Sequence, residues 1–149
     1  MLVNKYRGRR RRGAAAVETA IIMVPLLMLL FGVFEYGRLL MDLNVLNNAA
    51  REGCRYALVN NTDPSVASKT KTVVTNFMAG RDAGFGGFTV TVSGTHQGAS
   101  TAVNNLVAGD FITVTVTGTY KFMNIIPLVP SLPSFTLSSS VTMACEGVS

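Results

Sequence analysis

From Ala14 to Phe34 the chain runs 21 residues in which only Glu18 and Thr19 carry clearly polar side chains. At 1.5 Å per residue a helix of this length measures about 31 Å, enough to span a membrane once. Lys5, Arg7 and the block Arg9 to Arg12 lie on its N-terminal side. Such charges cross a bilayer at high cost, so they predict a cytoplasmic N-terminus and place everything after Phe34 outside the cytoplasm.

The net charge of +5 belongs to this arrangement. Six of the thirteen Lys and Arg stand in the first twelve residues, and beyond Gly13 there are seven basic and eight acidic side chains, a net of −1. The basic balance is therefore a topology signal and excludes a nucleic-acid footprint. A secretory signal peptide also joins a basic segment to an apolar one, but its apolar region is shorter and ends in a small-residue cleavage site that this chain lacks. With leader and anchor set aside, about 115 residues remain, room for one small domain.

Glu18 is the residue that needs a reason, because a carboxylate in hydrocarbon costs on the order of a few kcal/mol and is usually paired or functional. The surrounding residues resemble the cleavage region of type IV prepilin-like proteins: a basic leader, Gly13, a cut before Ala14, and glutamate as the fifth residue of the mature chain. The wider stretch, RRRRGAAAVETAIIMVPLLMLLFGVFEYGRLL with NNAAREGCRYA, is similar to the N-terminal region of the TadE-like family of Tad (Flp-type) pilus assembly proteins. Thr19 departs from that family, which usually has an aromatic residue there. The resemblance implies a non-catalytic pseudopilin or minor pilin in a bacterial inner membrane, cut by a prepilin peptidase between Gly13 and Ala14. Its partners are then other pilin-like subunits and the Tad machinery. Glu18 would pair with the new amine of a neighbouring subunit, and Ala16 and Ala20 would allow close helix approach. An alternative from another class is an unprocessed single-pass anchor that carries an extracytoplasmic binding module.

Residues 1–13 are predicted to be disordered and cytoplasmic, since like charges repel and nothing apolar is there to bury. Residues 14–34 are the membrane helix, and Pro25 within it leaves the carbonyl of Ile21 without its helical donor. The helix is predicted to continue over 35–58, because Tyr36, Leu39, Leu40, Leu43, Leu46, Ala50, Cys54, Ala57 and Leu58 fall within an arc of about 120°. Asp42, Asn44, Asn48, Arg51, Glu52 and Arg55 take the wet side.

Asp63 and Pro64 suit the start of a second helix that ends near Ala79, with an apolar stripe of Val66, Val73, Val74, Phe77 and Met78. Gly84 to Gly87 read as a loop. From Phe88 the period changes to two, in Phe88 to Val92, Ile112 to Val116 and Phe135 to Cys145. The fold class is thus α+β, with residues 35–149 forming an extracytoplasmic head in which the long helix packs on a three-stranded antiparallel sheet.

Cys54 on the helix stripe and Cys145 on the last strand lie on surfaces that this fold brings together. They are either a disulfide, which an oxidising compartment permits, or two buried thiols. The segment from Asn124 to Pro133 is apolar and held open by three prolines. Its Ile125, Ile126, Leu128 and Val129 either close the head-domain core or dock a partner or the membrane interface. His96 sits in a stretch that reads as a solvated loop, and Asp82 and Asp110 stand near turn glycines. No nucleophile, phosphate-cradle or metal-ligand pattern is present, so no catalysis, cofactor or small-molecule substrate is expected.

Overall fold

A computed structural model of the protein describes residues 7–122 and 134–145. One helix, α1 (Arg7–Val59), takes up 53 residues and continues through Pro25. It starts seven residues before the expected boundary, so the disorder predicted for 1–13 does not hold from Arg7 onward. Arginine is a good helix former, and extending an existing helix adds one hydrogen bond for each residue ordered.

The second helix, α2 (Val66–Met78), is entered through Asp63. Its Oδ1 accepts from the Ser65 backbone N–H and hydroxyl, and its Oδ2 from Lys69 Nζ at 2.6 Å. These bonds satisfy donors that a helix start leaves open. Val66, Thr70, Val74 and Met78 are buried, one row at i, i+4 spacing, whereas Phe77 is exposed. The helix ends at Ala79, which takes the left-handed conformation with φ 50°.

The sheet has four strands rather than three. They are β1 (Phe85–His96), β2 (Ala99–Thr101), β3 (Phe111–Tyr120) and β4 (Phe135–Ala144), in the order β2-β1-β3-β4 with every pairing antiparallel. Gln97 and Gly98 both have positive φ, which matches the twist of a two-residue hairpin and lets β2 fold back on the end of β1. His96 is therefore on a strand and not in a loop. The segment read as a loop at Gly84 to Gly87 joins β1 as far as Phe85, with an irregularity between Gly86 and Thr89 where Gly87 takes φ 63°.

In β3 the residues Ile112, Val114, Val116 and Tyr120 are all buried. They meet Leu46, Ala49, Ala50, Cys54 and Ala57 of α1 and Val66, Val74 and Met78 of α2 in one cluster. The small residues of α1 let the helix lie close to the sheet. At Gly53 an added Cβ would stand 2.5 Å from a Val74 methyl, so only glycine fits the crossing of the two helices as it stands.

The outer face carries hydroxyls in cross-strand pairs, Thr113 with Thr142 at 2.8 Å and Thr115 with Ser140 at 3.0 Å. Alternation of apolar and hydroxyl residues thus sends one set inward and the other to water.

The packed stripe of α1 differs from the expected one at both margins. Tyr36 and Leu40 are exposed, while Asp42, assigned to the wet side, is buried against Arg81.

Candidate functional site

Two parts of α1 differ sharply in their surroundings. From Val17 to Phe34 the large apolar side chains are open except for half-buried Met28 and Phe31, with Ile21 at 69% and Phe34 at 68% exposure. An apolar surface of this extent in water is far beyond what a soluble domain leaves bare. It is long enough and apolar enough to cross a membrane, and its most apolar window is wholly unburied. The segment is a candidate single-pass membrane anchor.

Within it the sequence-derived residues can be placed. Gly13, Ala14, Ala16, Glu18 and Ala20 are all exposed on the first turns. A Cβ at Gly13 would meet nothing within 4 Å, so nothing in the fold itself requires glycine there. Ala16 and Ala20 share a face, but Glu18, two residues from each, points about 160° away from both. The small pair and the carboxylate therefore lie on opposite faces, and Ala14 is the residue one turn below Glu18. The hydroxyl of Thr19 donates to the carbonyl of Ala15 at 2.9 Å. Its polar group is satisfied within the helix, as a threonine in lipid requires.

The second part is the junction of anchor and head. Arg38 Nη2 donates to Glu35 Oε1 at 2.8 Å and to the carbonyl of Lys121 at 2.5 Å, and its Nε donates to Tyr120 Oη at 2.7 Å. Tyr120 in turn donates to Glu35 Oε1 at 2.9 Å. The phenol is raised above its ordinary pKa, first by burial, so it stays a donor. Arg38 and Asp42, one turn apart on α1, pair instead with residues far along the chain. One turn further up, Asp42 accepts from Arg81, and Asn47 accepts from Ser139 at 2.6 Å. Spacing within the helix could not reveal these, since Arg81 and Ser139 arrive from elsewhere.

Cys54 and Cys145 are both buried, in the same cluster, and both are free thiols. Burial raises the pKa of each. The Cys54 thiol donates to the carbonyl of Ile112 at 3.4 Å. A hollow beside Cys145 is lined also by Leu58, Val59, Asn61, Met143 and Ala144. Ile125, Ile126, Leu128 and Val129 lie outside the described residues.

His96 Nδ1 and Asp110 Oδ1 are 2.7 Å apart, and Asp110 Oδ2 also accepts from the Val107 N–H at 2.8 Å. That N–H, and then the histidine, hold the Asp110 carboxyl below its usual range against the opposing effect of desolvation. The pair closes the loop before β3, a role the isolated residues did not disclose. Among the described residues no three His, Cys, Asp or Glu side chains come together.

No curated protein and no solved structure matches the chain. A family model does, over residues 13–55, under a third of the length: its description is TadE-like protein. The matched stretch begins at Gly13, takes in the open apolar run and the Arg38 junction, and ends beside Cys54 in the packed part of α1. The stretch from Gly13 to Arg55 is thus similar to TadE-like proteins, the family that its residues resemble.

Proposed function

We propose that this protein is a membrane-anchored pseudopilin or minor pilin that acts, without catalysis, in the assembly of Tad pili. The observation that carries the reading is the coincidence of the TadE-like match with an apolar helix segment left wholly open. Such a surface has to be covered by lipid before assembly, and by lipid or other subunit helices afterwards. In this reading a prepilin peptidase cuts between Gly13 and Ala14, and the lack of any packing duty for Gly13 supports recognition from outside the fold. The cut releases an α-amino group at Ala14, and Glu18 of a neighbouring subunit pairs with it. A carboxylate that is costly in lipid then sets the register between helices. Ala16 and Ala20, on the opposite face, are free to receive a different helix.

Intact mass and N-terminal sequence of the protein from its native membrane test the processing step. A chain beginning at Ala14 is expected. A chain that keeps the arginine block favours the unprocessed anchor, for which the departure at Thr19 speaks. In a processed background, Glu18→Gln is expected to reduce both pilus production and co-purification of pilin-like partners. Unchanged levels of both would overturn the role given to Glu18.

A further inference from the structure

The sheet lies lengthwise along α1. Cys54 bonds to Ile112 near the start of β3, and Arg38 bonds to Tyr120 at its end. Sixteen helix residues cover about 24 Å and eight strand residues about 27 Å, so β3 runs back along α1 in the opposite direction. One end of the sheet therefore points along α1 toward the apolar segment. That end is formed by Tyr120 at the end of β3, by Lys121 and Phe122 after it, and by Phe135 at the start of β4.

Its height is set by α1. Arg38 lies four residues past Phe34, about 6 Å beyond the end of the apolar run, while a headgroup layer is about 5 to 8 Å deep on each side. The residues that Arg38 holds must share that depth. Their chemistry fits it. Phe135 pairs in register with Tyr120, on the face that meets α1, and is 51% exposed. Phe122 packs edge-on between them, 5.3 Å from the Tyr120 ring and 5.6 Å from Phe135. On the helix, Phe34 at 68% and Tyr36 at 61% exposure stand within about one turn of Arg38, on the side of the apolar run. Open aromatic rings beside the cations Arg38 and Lys121 are the composition of a membrane–water interface.

We infer that this end of the sheet is a lipid-contacting surface: Phe122 and Phe135, with Lys121 beside them, rest in the headgroup layer of the leaflet from which α1 emerges. The bilayer then holds the head domain by two elements, and the Arg38 cluster makes them one rigid unit. The inference rests on the anchor reading of α1.

The chain contains no tryptophan, so single replacements report depth without background. Leu27→Trp, Phe135→Trp and Phe111→Trp are made in the full chain and reconstituted in phosphatidylcholine and phosphatidylglycerol vesicles with brominated acyl chains. Phe111 is the matched control, 48% exposed at the opposite end of the sheet. Quenching of about twofold is expected at positions 27 and 135 and almost none at 111. Phe122→Trp gives a second reading should Phe135→Trp fail to fold. Quenching at 27 without quenching at 135 and 122 overturns the lipid contact and leaves the anchor standing. The same holds if position 135 is shielded only at high protein density, the sign of a second copy covering it. No quenching at 27 overturns the anchor itself and the inference with it.

Discussion

Arg38 and Tyr120 are joined twice over: the guanidinium carbon lies 4.8 Å from the ring centroid, and Nε donates to the phenol oxygen at 2.7 Å. The contact ties a helix turn just past the apolar run to the end of the central strand. Tyr120→Phe keeps the ring and removes the hydroxyl, and is expected to cost about 1 kcal/mol, since the side chain of Arg38 is still one-third open. Arg38→Lys is expected to cost about 2 kcal/mol, because a point charge cannot serve Glu35, Tyr120 and the Lys121 carbonyl together. Urea unfolding in detergent checks both, and an Arg38→Lys variant of unchanged stability would remove the clamp from the account.

Glycines of one helix separate by their surroundings. Gly53→Ala gains about 1 kcal/mol in helix propensity but drives a methyl to 2.5 Å from buried Val74. Overpacking of that kind costs typically 1 to 3 kcal/mol, so a net loss of about 1 kcal/mol is expected. Gly37→Ala, with open space around it, is expected to be neutral or mildly stabilising. Thermal unfolding of the two variants side by side reads the difference.

Asp42 is 9% exposed and paired with Arg81. Arg81→Met leaves a carboxylate in a poorly solvated place and is expected to cost about 2 to 3 kcal/mol. Arg81→Met combined with Asp42→Asn is expected to recover about half of that loss, and a double-mutant cycle on denaturation midpoints gives the coupling. Strict additivity would mean that the pair contributes nothing.

Acid should act through Asp110. Its carboxyl is held below the usual range by the Val107 N–H and then by His96. Its contribution to stability is therefore fully present above the unfolded value of about 4 and is lost as pH falls through the lower folded value. Asp110→Asn is expected to lower the melting temperature at pH 7, and the gap to the parent protein should close on descending toward about pH 3. A gap that is independent of pH would assign the effect to lost geometry rather than to charge.

Burial raises the pKa of the thiols of Cys54 and Cys145. Protein made in a reducing compartment is expected to show no rapid labelling by a thiol reagent while folded and two thiols once denatured. Protein from the extracytoplasmic side with no thiol after denaturation would show that the two cysteines have been oxidised.

The candidate anchor could be read directly from the residues because a bilayer imposes one requirement, about 20 apolar residues in a row, and 14–34 meets it. The three long strands were legible for a similar reason, since alternation with period two survives in Phe88 to Val92, Ile112 to Val116 and Phe135 to Cys145. The hairpin at Gln97 and Gly98 was hidden: glutamine seldom takes positive φ, and only Gly98 signalled a turn. Asp42 was misplaced because it falls outside the apolar arc of the helix, and spacing along one helix cannot show that Arg81 arrives to pair with it.

Residue order alone determined the apolar run, its length, the change from helical to strand periodicity, and the TadE-like pattern from Gly13 onward, all consequences of local chemistry repeated along the chain. Tertiary structure decided which charges are buried, that Gly53 admits no side chain, and that Arg38 meets Tyr120 and Lys121. The bonds of Arg38 join residues 82 and 83 positions apart, and only the run of β3 back along α1 brings such positions to the same height.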